Sequence, residues 1–329
     1  MSIAERKNNH IDVNLHRAVA SSVTAGFEKY RLVHNALPEA DFAAYSTESV
    51  FLGKRIGAPI LISSMTGGTE YGERVNRNLL TAAAELRLPF GIGSQRIYIE
   101  DSARKVFPVR TIAKDTPVLA NVGAVQLNYG CGRDQLLRAV EMIEADALIL
   151  HINPLQELVQ KGGDTNFAGL LPKIAALCAD FPVPIIAKEV GWGFSVANAK
   201  ALVDAGISYI DIAGAGGTSW SQVESLIDGS PEALALAEPF AGWGIPTAEC
   251  LTAIHTALPT AKLIASGGLK DGVDAAKAIA LGAELAGFAG RILPAAAEET
   301  PDALIQTLTT IIQQYKIARF LSSGIEKIA

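Results

Sequence analysis

The chain has 329 residues, of which 49% are hydrophobic and 19% charged, with 30 glycines, a mean hydropathy of +0.26 and a formal net charge of −6. Such a chain can fill a large core and turn tightly many times, which excludes a disordered or low-complexity protein. Its acidic balance offers no general attraction to nucleic acid or to an anionic membrane, so basic residues that matter should act locally on an anionic ligand.

Residues 1–58 form an N-terminal extension, polar from Glu5 to Asn9. No apolar signal core follows, and no run approaches about 18 apolar residues, so neither secretion nor a membrane span is expected. The cysteines, Cys131, Cys178 and Cys250, are far apart and form no CxxC pair. That argues against a disulfide framework or a structural zinc site and predicts a cytoplasmic protein.

From Pro59 onward, short apolar runs alternate with stretches at helical spacing. Strands are predicted at 59–63, 89–93, 117–121, 147–151, 184–188, 209–213, 262–266 and 284–288, and helices at 74–86, 134–144, 167–178, 196–205, 273–281 and 302–320. Strands apolar on both faces and separated by helices predict an α/β fold, a (β/α)8 TIM barrel over residues 59–329. One connection is unusually long: residues 220–245, between strands six and seven, fit a lid, a binding loop or an insertion packed on the barrel's side.

The residues that follow each strand build the C-terminal face of a barrel, where barrel enzymes keep their chemistry. After strand one comes Ser64-Met-Thr-Gly-Gly68, whose glycines and hydroxyls expose backbone N–H groups. Ser94-Gln-Arg96 follows strand two and Asn121-Val-Gly123 follows strand three, polar groups that serve equally as site residues or loop caps. Strand four runs into His151-Ile-Asn-Pro-Leu-Gln-Glu157, an imidazole, two amides and a carboxylate. By itself that cluster is either a polar turn or a site.

Strand five ends in Lys188-Glu-Val-Gly191, and a buried Lys demands an anion or a lowered pKa. Strand six runs into Gly214-Ala-Gly-Gly-Thr-Ser-Trp220. Strands seven and eight end in Ser266-Gly-Gly268 and Ala289-Gly-Arg291, paired turns of the kind that bind phosphate through backbone N–H groups. A phosphate on that side, with Lys188 and polar donors around the rest, describes a phosphorylated planar cofactor lying across the mouth. FMN fits, with its phosphate on strands seven and eight and Lys188 facing the N1–O2 edge that becomes anionic on reduction.

With these residues assembled, the chain resembles the type 2 isopentenyl-diphosphate isomerase family, the FMN-dependent isomerases of isoprenoid biosynthesis, from Arg6 to about Arg291. The motifs are Arg6-Lys7-x-x-His10-Ile, Ser64-Met-Thr-Gly67, Gly93-Ser-Gln-Arg96, Asn121-Val-Gly123, His151-x-Asn-x-x-Gln-Glu157, Lys188-Glu-x-Gly191, Gly216-Gly-Thr-Ser-Trp220, Trp243-Gly-Ile-Pro246 and Ser266-Gly-Gly268. The first and fifth are the specific ones. The chain departs from the family pattern at Lys270, where an Arg often follows the Gly-Gly turn, and at Asn9, where an acidic residue often stands.

The resemblance implies that Met65, Thr66, Gly67, Ser94, Asn121, Lys188, Thr218, Gly267, Gly268, Ala289 and Gly290 hold FMN. It implies that Arg6, Lys7, His10, Ser94, Gln95, Arg96 and Gln156 hold substrate, with His151 and Asn153 beside them in the catalytic cluster, and that Glu157 binds Mg²⁺. The reaction would shift a double bond between isopentenyl and dimethylallyl diphosphate with no net redox change. Reduced flavin N5 would be the main acid/base, His151 the alternative acid, and NADPH the reductant. The extension would close as a lid, and the protein would be a homo-oligomer, tetramer or octamer.

Two other readings share parts of this pattern. An FMN-dependent 2-hydroxy-acid oxidase or dehydrogenase would share Lys188 and the glycine turns, but such enzymes use a His late in the barrel, and no His lies between residues 152 and 254. A non-enzymatic barrel binding a phosphoryl ligand would not need so many polar strand ends.

Overall fold

A computed structural model describes residues 3–101, 103–104 and 106–328. Residues 1, 2, 102, 105 and 329, which fall within the expected extension and barrel segments, lie outside that description.

Eight parallel strands close into a barrel in chain order. They are β1 (Ile60–Ile62), β2 (Phe90–Gly91), β3 (Val118–Gly123), β4 (Ala147–Ile152), β5 (Ile185–Glu189), β6 (Tyr209–Asp211), β7 (Leu263–Ala265) and β8 (Leu285–Phe288), with β8 pairing back onto β1. All eight predicted strands are present. Alternate residues of a strand point to opposite faces. Leu61, Leu119, Ile149, Ile186, Tyr209, Ile264 and Leu285 make one buried cluster inside the barrel. Ile60, Ile62, Leu148, Leu150 and Ile185 belong to the larger core under the helices. Burial on both faces is why these strands read as unbroken apolar runs.

Two residues further along seven of the eight strands, on the same inward side, stand Ser63, Asn121, His151, Lys188, Asp211, Ser266 and Gly287. The strand period therefore lays a polar ring directly over an apolar floor. The opposite end of the barrel is plugged by a hairpin, Ser49–Phe51 paired with Lys54–Ile56. It turns through Leu52 and Gly53, both at positive φ as a tight two-residue turn requires, and sets Phe51 edge-on to Tyr209 at 5.2 Å.

The predicted helices occur as Glu70–Leu86, Arg133–Glu141, Leu170–Cys178, Val196–Asp204, Gly272–Ala280 and Asp302–Phe320. The first begins earlier than its apolar spacing suggests because Thr69 caps it, its hydroxyl accepting the Gly72 N–H at 3.0 Å. Helices also form at Ile3–His16 and Thr247–Ala257, and the long connection folds into Trp220–Asp228 and Pro231–Ala237. None of the described helices is long and apolar enough to cross a membrane.

The extension is tied down twice. Its strand Tyr30–His34 pairs antiparallel with the C-terminal strand Ser322–Lys327. Nearer the mouth, the Ser21 N–H donates to Gly217 O at 2.7 Å and the Ser219 N–H to Val19 O at 2.8 Å. These bonds bring the helix Ile3–His16 over the C-terminal face of the barrel.

Candidate active site

The polar ring, the loops above it and the N-terminal helix enclose a cavity of about 570 Å³. That is ample for a flat cofactor and a small substrate. Its wall includes Met65, Thr66, Gly67, Ser94, Asn121, Lys188, Thr218, Gly267, Gly268, Ala289 and Gly290, and also Arg6, Lys7, His10, Arg96, His151, Asn153, Gln156, Glu157 and Trp220.

After β6 and β7 this wall is backbone against backbone. Gly267 and Gly268 have φ of 100° and 75°, and a Cβ on Gly268 would lie 2.4 Å from the Gly216 carbonyl. Only glycine permits both the conformation and the approach. Across the ring, the hydroxyls of Ser63, Ser64 and Thr66 line the cavity and are buried with no hydrogen-bond partner among the described residues. Each such orphan costs about 1–3 kcal/mol, so this wall suits a ligand with polar edges. The flavin ring, with acceptors and donors along one rim, fits it.

Below lies a charged centre set by strand register, with His151 opposite Lys188 and Lys188 opposite Asp211. Lys188 is 7% exposed and Asp211 1%. The Lys188 Nζ lies 3.2 Å from Asp211 Oδ2 and donates to Ser266 Oγ at 3.3 Å and Glu189 O at 3.1 Å. The Glu189 carboxylate folds onto its own loop, where Oε2 accepts the N–H groups of Val190, Gly191, Trp192 and Gly193. Burial pushes its pKa up to about 7, against the pull of those four donors.

His151 is neutral. Burial, then the charges of Lys188 and Lys7, push its pKa down to about 4. Its Nδ1–H donates to Asn121 Oδ1 at 2.7 Å, which leaves Nε2 as an acceptor.

Gln95, expected beside the substrate, has its side chain elsewhere. Its side chain, 0% exposed, turns away from the cavity into the barrel wall. There its Oε1 accepts the Asn121 N–H at 2.9 Å and its Nε2 donates to Ala139 O at 2.8 Å. It braces the strand that carries Asn121.

Over β4, Asn153 Nδ2 donates to Gln156 Oε1 and Glu157 Oε1, each at 3.0 Å. Glu157 Oε2 accepts the Asp164 N–H at 2.8 Å. Burial raises the Glu157 pKa. Among the described residues its hydrogen-bond donors are neutral, so its charge stays available to a cation. No group of three or more His, Cys, Asp or Glu among the described residues forms a metal cage.

Gln156 Nε2 donates to Glu224 Oε1 at 2.7 Å, and His10 Nε2 meets the same oxygen at 2.8 Å. His10 also stands edge-on to Trp220 at 5.2 Å. Glu224, with a side chain 2% exposed, thus joins the N-terminal helix to the β4 cluster. It belongs to no motif noticed in the sequence; the available signal was its place one helical turn after Trp220. Asp211 and Asp164 were missed as well. The latter holds Arg96 at 2.5 Å, while Glu100 holds the same guanidinium at 2.6 Å. Lys7 donates to Ser94 O at 2.9 Å, and burial, then Arg104, bring its pKa down to about 8.

Fold and site together define a flavin-binding barrel. The family model for FMN-dependent dehydrogenases matches residues 154–321. A mandelate oxidase structure carrying an FMN adduct superposes with a TM-score of 0.66 at 16% identity, covering 97% of this chain and 95% of that one. At that identity the likeness speaks for the fold.

Within this class, the chain belongs to the type 2 isopentenyl-diphosphate delta-isomerase family. The isopentenyl-diphosphate delta-isomerase of Oceanobacillus iheyensis is 48% identical over 320 residues, 97% of this chain and 91% of that protein. The protein of the same name from Nostoc sp. is 50% identical over 309 residues, 93% of this chain and 88% of its own length.

Proposed function

We propose that this protein interconverts isopentenyl diphosphate and dimethylallyl diphosphate, using FMN, which the barrel mouth would hold, and Mg²⁺, to which Glu157 would supply a carboxylate ligand. The observation that carries this reading is the pairing of a polar ring with a helix that brings basic side chains over one cavity, Lys188 below and Arg6, Lys7 and His10 above. The orphaned hydroxyls of Ser63, Ser64 and Thr66, the glycine turns and Lys188 would hold the flavin. When bound and reduced, FMN supplies an acid/base at N5, so a double bond can shift without net redox change.

The chain's own residues do the rest. Arg6, Lys7 and Arg96 attract the diphosphate, and Glu157 offers one carboxylate to a cation that prefers to share oxygens with phosphate and water. Gln156, an amide fixed between Glu224 and Asn153, orients the substrate. His151, neutral and bonded to Asn121, accepts a hydrogen bond instead of acting as an acid. The helix Ile3–His16 excludes water from the alkene, and Trp220 offers a π face to positive charge developing there.

NADPH is proposed as the reductant, and a cytoplasmic homo-oligomer, tetramer or octamer, as the working state. Exposed Leu234, Leu236 and Trp243 support self-association, and three free cysteines support a reducing compartment. Reconstitution with 5-deaza-FMN, which has carbon in place of N5, tests the chemistry. The analogue should bind and support no isomerisation; full activity would refute the acid/base role.

A further inference from the structure

Lys188 and Asp211 face each other across β5 and β6, yet Lys188 lines the cavity and Asp211 does not. An ammonium has three N–H donors. Two make aligned hydrogen bonds, to Glu189 O and Ser266 Oγ. The contact with Asp211 Oδ2 is close, at 3.2 Å, but makes no aligned hydrogen bond, and Oδ2 has no other partner among the described residues. The attraction there is Coulombic, and one ammonium proton stays free for a ligand in the mouth. Ser266 Oγ donates to Asp211 Oδ1 at 2.5 Å and holds the carboxylate behind the ammonium.

We propose that Asp211 is a positioning residue, the counter-ion that sets how much of the Lys188 charge a flavin in the mouth feels. This rests on the reading that FMN lies against Lys188. The remaining ionisable neighbours leave the pair's charge balance intact. His151, in register with Lys188, is neutral, and the Glu189 carboxylate is turned into its own loop. The pair therefore presents a directed N–H with almost no net charge.

That balance suits an acid/base cofactor. An unopposed cation would stabilise the reduced ring as an anion and draw basicity away from its N5, whereas a compensated one orients the ring and leaves it proton-active. Asp211 acts through Lys188 and touches neither substrate nor the reacting carbons.

The test uses the FMN-loaded protein and reads the flavin itself. The midpoint potential is measured against reference dyes, and the pH at which reduced N1 ionises is read from the reduced spectrum. Asp211→Asn should raise the potential and lower the N1 ionisation by about one pH unit or more. Lys188→Met should move both the other way, and adding Asp211→Asn to Lys188→Met should reverse most of that shift, because the double variant leaves no unpaired buried charge.

If Asp211→Asn alone fails to take up FMN, the double variant decides. A double variant indistinguishable from Lys188→Met overturns the proposal, as does a folded, flavin-loaded Asp211→Asn with both values unchanged. Lys188→Met values equal to those of the parent would instead remove Lys188 from the flavin, and the underlying reading with it.

Discussion

After β7 and β8 the mouth is lined by backbone, at Gly267, Gly268, Ala289 and Gly290, whereas after β4 it is lined by side chains, at Asn153, Gln156 and Glu157. The backbone wall is made locally. Its shape comes from positive φ and from loops that touch without side chains between them. The side-chain wall is assembled from afar, since His10 and Glu224, which share a hydrogen bond, are 214 residues apart. A wall of the first kind recognises shape and tolerates nothing. A wall of the second kind recognises charge and can be retuned one residue at a time.

This contrast can be broken most sharply at Gly268. Gly268→Ala should destabilise the protein by about 2 kcal/mol or more, from strain at positive φ and the clash with Gly216, and abolish FMN binding. Thermal melting and flavin titration read both effects. Changes on the other wall should leave flavin affinity intact. Glu157→Gln should lower kcat/KM about 10³-fold and remove stimulation by Mg²⁺, checked by rates across a Mg²⁺ series; chelation should abolish parent activity.

Glu224→Leu should lower kcat about 10²-fold with little change in KM, because Gln156 loses the acceptor that fixes its amide. A large rise in KM with kcat unchanged would place Glu224 in substrate binding instead.

The smallest effect concerns pH. Lys7, with its pKa lowered to about 8, is a cation below that pH and becomes neutral above it, so the KM for the diphosphate should rise on the alkaline side. Lys7→Arg, which stays charged, should flatten that rise while changing KM only a few-fold, about 1 kcal/mol, at neutral pH. A parent KM that stays flat from pH 7 to pH 9 would detach Lys7 from the diphosphate.

The same contrast explains what could be read from the chain. The barrel was legible because strands buried on both faces leave continuous apolar runs, and the backbone wall because a positive φ beside a close loop admits only glycine. The Lys188 position was legible from its strand end. Asp211 was just as readable, two residues after inward-facing Tyr209, but an acid inside an apolar strand draws attention only once its Lys partner is known.

The direction of the Gln95 side chain was not legible, because three consecutive polar residues, Ser94-Gln-Arg96, sit where a strand turns into a helix, and the turn sends the middle side chain into the wall. The helix Ile3–His16 gave no signal because it is largely polar. Its stability comes from docking on the mouth, through Lys7 on Ser94 and His10 on Glu224, contacts that exist only in three dimensions.

The central claim is that the cavity moves a proton and not a hydride in net terms. The direct measurement is anaerobic incubation of the FMN-loaded, dithionite-reduced protein with isopentenyl diphosphate and Mg²⁺ in deuterium oxide, following product and flavin spectrum together. The account predicts dimethylallyl diphosphate carrying deuterium over many turnovers while the flavin stays reduced. No isomer, or one flavin oxidised for each product formed, would contradict it.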